Sequence, residues 1–541
     1  MSKEHDPNLI KSSFIIVGAG AAGCAAAKCF AAAGLAQDTL LIEQHSEPGG
    51  CAGYFSRGQP RRSFDAGATQ LIECQQGQLQ RTLFELAPAA HQPSADTLFE
   101  PIPTITQHWP ALQRKITLHQ SGDIVWSGLS EATPQEQRDL ARLQTFFNSC
   151  LHEAQWMWSL LGHIPRFPPQ SWTDILRALA LFWKVPLSKK IFFPFLFLAN
   201  CQVMLRRFGI RSKGLAHDVI KGLLIDTTQN TPEDSPWLAS AMGISILRRG
   251  IFRCKGGMRS YFRPMVSSFI ERGGTYRTHE RLTQIQTTDS GFRLSFVNQK
   301  TNELKIFEAH RAVLLNLTVW DVVNGLIPDN DPLRTSSVFK RWQRSALAEK
   351  GWGAFAIYAI ADDQSAWPAL PHYHQIFPHP DDPSELKSSL YVSIPARDDP
   401  SQPKGMRTLT ATIHIPCGDI SAEQRQQWTT SLVQRIENSL MTKLTHIETA
   451  QPATFAHYTG RRLGQVGGFP LRLRNFLFFS VPSRISHPTL KNCQLLLMGD
   501  TVFPGQGVVA CSVSGIAAFE RATELSFEKI KDSSINFRKT T

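Results

Sequence analysis

The chain is 541 residues long, 42% apolar and 19% charged, with 33 Phe and 12 Trp. That profile excludes a disordered or repetitive protein and implies more than one domain, since a single core stops growing near roughly 250–300 residues. The net charge of +12 favours anionic surfaces in a salt-dependent way, but without zinc-finger spacing, an RNP-like stretch or a concentrated basic arm, nucleic acid is not an expected partner.

Ten cysteines, at positions 24, 29, 51, 74, 150, 201, 254, 417, 493 and 511, form no C-x-x-C pair and no cluster with histidine at metal spacing, so no metal is expected. Met1 to Lys11 lacks the apolar core of a signal peptide, which points to a reduced, cytoplasmic protein. Ser13-Phe14-Ile15-Ile16-Val17 predicts a strand buried on both faces of a parallel sheet. Gly18-Ala19-Gly20-Ala21-Ala22-Gly23 follows: Gly18 for the tight turn, Gly20 for close approach of a pyrophosphate, Gly23 for helix–strand packing. An Ala-rich helix from Ala21 to Ala33 is expected to end at Gly34, and a second strand, Thr39 to Ile42, delivers Glu43. Glu43 lies 20 residues beyond Gly23, where a carboxylate binds ribose hydroxyls and repels a 2′-phosphate, so the set favours FAD or NAD over NADP. Cys24 and Cys29 read as small packing residues of that helix.

Pro48-Gly49-Gly50-Cys51-Ala52-Gly53 and Phe64-Asp65-Ala66-Gly67-Ala68-Thr69-Gln70-Leu71 resemble the glycine pair and the FD-x-G stretch of the flavoprotein group that includes amine oxidases and carotenoid desaturases. Glycines there remove side chains where a flat ring lies against backbone; for Asp65 a turn or helix cap is the alternative. Further on, Gly256-Gly257-Met258 starts a predicted amphipathic helix ending near Arg272 to Gly274, and Tyr276 to Ile285 reads as a strand centred on Leu282. Near the end of the chain, Gln494 to Met498 is an apolar strand that leads into Gly499-Asp500 and a glycine-rich turn, Thr501 to Gly507, opening a helix from about Val508 to Arg521. Asp500 suits ribityl hydroxyls, and the Gly505, Gly507 and Val508 backbone at a helix N-terminus suits the electron density of a reduced flavin. A purely NAD-dependent enzyme has no need of this second piece.

Taken together, "VGAGAAGCAAAKCFAAAG", "PGGCAGYF", "FDAGATQL", "KGGM", "NLTVWD", "GWGAF" and "MGDTVFPGQGVVACSVSGIAA" resemble the carotenoid desaturase and isomerase family, closest to its bacterial 3,4-desaturase branch. The resemblance implies an α/β fold: a Rossmann-like FAD domain of the glutathione-reductase or amine-oxidase type, with an inserted α+β substrate domain. The FAD parts would be residues 10–95, 250–320 and 485–535, and the substrate parts 96–249 and 321–484. It also implies that the GG-helix packs beside the flavin and that the Leu282 backbone contacts adenine. The expected reaction is desaturation of a carotenoid or related polyene, the electrons passing to a quinone or oxygen. Carotenoid cis–trans isomerisation with reduced FAD, a retinol-saturase-like reaction and an amine-oxidase-like reaction are the alternatives, beside a flavin-binding membrane protein without catalysis. No Ser-His-Asp signature or carboxylate pair for hydrolysis is present. No catalytic base is nominated: Trp320, Asp321, Trp352, Phe355, His414 and His457 read first as packing or ordinary residues.

Between Arg177 and Arg211 lie Phe182, Trp183, Phe192, Phe193, Phe195 and Phe197 beside Lys184, Lys189, Lys190, Arg206 and Arg207. The uninterrupted apolar run Ile191 to Ala199 has nine residues, far short of the ~20 that span a bilayer, and Pro186 and Pro194 are expected to disturb any single helix. A monotopic anchor at the inner face of a membrane is expected, with a buried helix pair as the alternative.

Overall fold

The computed structural model describes residues 9–128, 133–379, 382, 386, 388–473, 481–485 and 493–532. Residues 533–535 of the expected third FAD segment, residues 1–8 and the side chain of Phe193 lie outside them.

The continuous apolar runs do form buried parallel strands. Leu9–Val17 is flanked by Thr39–Ile42 and Leu304–Leu315, while Thr275–Arg277 lies outside Thr39–Ile42 and Gln494–Leu497 outside Leu304–Leu315. Strands more than 450 residues apart in sequence thus share one sheet. The long Leu304–Leu315 strand is paired twice on one side. Its first half takes the antiparallel Phe292–Asn298, and Ala312 to Leu315 take Gln494 to Leu497.

Three helices cover one face: the Ala-rich Ala21–Ala32, Arg259–Glu271 and Val508–Thr523. Small side chains let the first and last approach closely: a Cβ on Gly515 would stand 2.1 Å from the Ala22 carbonyl oxygen. Cys24 and Cys29 are buried in this core, and burial pushes both thiols up, as inert packing residues require. The expected strand Tyr276 to Ile285 is two, Thr275–Arg277 and Glu280–Thr287, because His279 takes φ +61° and breaks the run.

The second body is an eight-stranded sheet ordered Leu444–Ala450, Trp352–Asp362, Met406–Pro416, Leu390–Ile394, His372–Ile376, Thr104–Trp109, Arg114–His119, Ile124–Gly128. Its pairs are antiparallel except where His372–Ile376 meets Thr104–Trp109. Two chain regions therefore complete one sheet. Trp320 and Phe355 are buried packing residues: the Trp320 indole donates to the Glu349 carbonyl at 2.8 Å, and Phe355 stands edge-on to Trp428. Helices Pro134–Leu161, Leu215–Thr228 and Trp237–Arg249 share a core with this sheet, and Trp172–Lys184 and Leu187–Leu198 complete the helical side.

Candidate active site

A cavity of about 1740 Å³ opens at the carboxyl ends of the parallel strands and continues between the second eight-stranded sheet and its helices. The first wall is the glycine turn. Gly18 adopts φ +91°, which an L side chain rarely takes, and its N–H donates to the Ile42 carbonyl at 2.7 Å. The helix Ala21–Ala32 starts at Gly20 without a side-chain cap, so its first N–H groups are available to an anion. A Cβ on Gly20 would stand 2.6 Å from Asn316 Nδ2, and one on Gly23 only 1.9 Å from the Gly18 oxygen. Gly20 therefore lines the cavity, whereas Gly23 sits behind it and lets the helix close on the turn.

Glu43 lines the cavity next to this turn. Its carboxylate accepts the Ala19 N–H at 2.6 Å and the His45 N–H at 2.9 Å, while burial raises its pKa against those hydrogen bonds. Glu280, Arg281, Leu282 and Thr283 line the same end, held there because the Glu280 N–H donates to the Glu43 carbonyl at 3.0 Å. Gly49, Gly50 and Gly67 form a side-chain-free wall: the Gly49 N–H donates to the Ala19 carbonyl at 2.8 Å, and a Cβ on Gly67 would lie 2.4 Å from the Cys51 oxygen.

The last wall comes from the C-terminal segment. Asp500 lines the cavity and accepts from Arg461 Nη1 at 2.7 Å. Gly505, Gly507 and Val508 also line it, and the helix Val508–Thr523 begins there without a side-chain cap. Gly499 stands behind, its N–H donating to Ser514 Oγ at 3.0 Å.

Asp65 does not line the cavity as expected. Its carboxylate is 2.7 Å from Arg253 Nη2 and accepts the Met258 N–H at 2.8 Å, both side chains being almost wholly buried. Asp65 ends the strand Arg62–Asp65 and forms neither a local turn nor its own helix cap; its carboxylate reaches across the chain to Met258, the residue before the helix Arg259–Glu271. Gly257 has room for this contact because a Cβ there would be 2.7 Å from Asp65 Oδ1.

Sequence reasoning also missed two groups. Asn316 donates to the Gly18 carbonyl at 3.3 Å, and a Cβ on Gly499 would lie 3.0 Å from its Oδ1, so it ties the first and last segments together. Arg461 is held in the wall by Asp500 and the Gly467 carbonyl; burial works to lower its pKa, and the Asp500 carboxylate beside it outweighs burial and raises it. Neither has a local spacing signal, although Asn316 lies within "NLTVWD". Asp321, His414 and His457 line the cavity; Asp321 closes a capping box with Thr318 and accepts the Arg462 N–H at 2.9 Å, and burial lowers His414 to about 4.

Residues 16–86 match the family described as NAD(P)-binding Rossmann-like domain. A prolycopene isomerase of an Oncidium hybrid cultivar is 24% identical, covering 95% of this chain and 84% of its own length; the Daucus carota prolycopene isomerase is 23% identical, covering 98% and 82%. The likeness to both isomerases runs over nearly the whole of this chain, at 24% and 23% identity. Among solved structures, putrescine oxidase bound to putrescine aligns with TM-score 0.58 at 14% identity, over 95% of this chain and 99% of that one. A CLA-producing fatty acid isomerase from P. acnes aligns with TM-score 0.55 at 12% identity, over 97% and 99%. The chain has the fold of these oxidoreductases and isomerases, with a Rossmann-like dinucleotide-binding segment at residues 16–86.

Proposed function

We propose that this protein is an FAD-dependent oxidoreductase acting on the double bonds of a carotenoid or related polyene lipid taken from a membrane surface. One observation carries the reading: a single cavity joins the dinucleotide cradle to an apolar passage beneath an exposed apolar helix.

The cradle suits FAD, since Gly20 and Gly67 leave no room for Cβ atoms and two helix N-termini stand uncapped at its walls. Gly18 and Gly20 admit the pyrophosphate, Glu43 binds ribose hydroxyls, the Leu282 backbone meets adenine, and Asp500 with Arg461 faces the ribityl chain. Gly49, Gly50 and Gly67 take the ring against backbone, opposite Gly505, Gly507 and Val508. Bound there, FAD accepts or returns a hydride. The apolar passage aligns the polyene and excludes water.

Entry is read from the helix Trp172–Lys184. Its inner face places Ala178, Leu181 and Phe182 in the cavity, while Trp172 is 71% exposed and Trp183 76% exposed. Leu187, Ile191 and Phe192 continue the exposed apolar surface on the next helix, which suits the acyl boundary of a bilayer. Among the described residues no helix is long and apolar enough to cross a membrane. Lys189 is engaged by Glu153, and Lys190 lies 4.8 Å over the Trp183 ring; exposed Lys184, Arg206 and Arg207 therefore carry the attraction to anionic headgroups.

Dehydrogenation, with a quinone or oxygen taking the electrons, is the first reading; the full-length likeness to proteins named isomerases favours cis–trans isomerisation as the second. Anaerobic mixing of holoenzyme with candidate carotenoids, followed by product mass, tests both: loss of two hydrogens marks dehydrogenation, and unchanged mass with altered geometry marks isomerisation. Protein that stays colourless with excess FAD in lipid overturns the proposal.

A further inference from the structure

Asp226 lies near the C-terminal end of the otherwise apolar stretch of helix Leu215–Thr228, and it lines the cavity. Among the described residues no cation pairs with it; Gln70 is its hydrogen-bond partner. The other half of that amide, Gln70 Oε1, is buried and has no partner among the described residues, and Gln70 lines the same cavity. A carboxyl kept for structure alone is normally ion-paired or fully hydrogen-bonded when removed from water.

Its position is set by two contacts. Gln506 Nε2 donates to the Thr227 carbonyl at 3.3 Å, and a Cβ on Gly467 would meet both Gln506 (2.6 Å) and Gln229 (2.7 Å). The end of Asp226's helix therefore abuts the Gly505 to Gly507 turn. From the other side Gln70 follows Gly67, whose backbone lies against Cys51. Asp226 thus lines the same cavity as the two glycine walls, on a helix whose next residue, Thr227, is bonded to Gln506 of the second wall.

We propose that Asp226 is the proton-transferring catalytic residue of the polyene reaction. This rests on the reading of the site given above. In dehydrogenation a bound oxidised flavin would supply the acceptor for the hydride of one allylic C–H bond. The C–H bond on the neighbouring carbon breaks, its electron pair becomes the new double bond, and the proton moves to Asp226 and then to solvent. In isomerisation the protonated carboxyl adds its proton to the polyene, rotation occurs in the delocalised cation, and the proton returns to Asp226; no oxidant is consumed.

Burial pushes the Asp226 carboxyl up to about 6, which leaves both protonation states accessible near neutrality, as a proton-transfer group needs. The titratable groups packed around it are Tyr373 and Tyr391. Both stay neutral in this range, since burial raises Tyr373 to about 12 and Tyr391 well above its ordinary value.

The test uses holoenzyme and prolycopene in phosphatidylcholine–phosphatidylglycerol vesicles. Asp226→Asn should bind FAD as the wild type does yet turn over about 100-fold more slowly, while Asp226→Glu retains turnover with a displaced pH midpoint. Infrared difference spectra between pH 5 and 8, without polyene, should show a protonated-carboxyl band titrating near 6 that Asp226→Asn lacks. An Asp226→Asn enzyme as fast as wild type, or a wild type without that band, overturns the proton-transfer role alone. A wild-type holoenzyme that leaves prolycopene unchanged and is not bleached by it overturns the proposed function and this role together.

Discussion

Asp65→Asn keeps the shape of the side chain and the acceptor for the Met258 N–H at 2.8 Å, but it removes the charge 2.7 Å from Arg253. The Arg253 side chain is 4% exposed, so water cannot replace the lost partner; Ser393 Oγ at 3.0 Å remains as a neutral acceptor. Breaking a buried pair by removing one member costs about 3–5 kcal/mol, because an uncompensated charge is left inside. The double variant Asp65→Asn, Arg253→Met removes that charge and should recover at least half of the loss. Urea unfolding of holoenzyme, followed by tryptophan fluorescence, measures the midpoints, and equilibrium dialysis measures FAD affinity. The expected pattern is a lowered midpoint in the single variant, partial recovery in the double variant and near-normal FAD affinity in whatever remains folded. An Asp65→Asn protein with an unchanged midpoint that holds FAD about 10-fold more weakly refutes the structural role and makes Asp65 a cofactor ligand.

Gly20→Ala places a Cβ 2.6 Å from Asn316 Nδ2; it should weaken FAD retention at least 10-fold with a smaller effect on the unfolding midpoint, measured on the same samples. Changing Trp172, Leu176, Leu179 and Trp183, all exposed, to Ser should abolish flotation with anionic vesicles, whereas Lys189→Glu should act mainly by breaking its pair with Glu153; flotation and thermal scans separate the two. Burial lowers His108 to about 3 and His372 to about 4, and lowers the adjoining His374 as well. Folded-state values below the unfolded ~6.5 mean that stability is intact above that pH and lost as pH falls through it. His108 and His372 together account for about 2–3 kcal/mol between pH 7 and 5.5, and His108→Gln should flatten that slope in urea titrations.

Several features were legible in the chain itself because neighbouring residues determine them. The strand Thr39–Ile42 and the helix starts at Ala21 and Val508 fell where expected, since a strand buried on both faces reads as a short, nearly continuous apolar run and a helix that faces an anion favours glycine before it. What only the tertiary structure decided depends on residues far apart. The partner of Asp65 lies 188 positions away at Arg253, so its motif could not reveal that the carboxylate is already engaged. Asp226 carries no local spacing signal, and only the packing of distant segments brings it into one cavity with Gln70 and Tyr373. Lys189 likewise reads as a headgroup contact until Glu153 meets it. Local pattern fixes backbone conformation through short-range sterics and hydrogen bonding; the charge state and role of a side chain depend on its dielectric surroundings and partners, and those are settled only when distant segments pack.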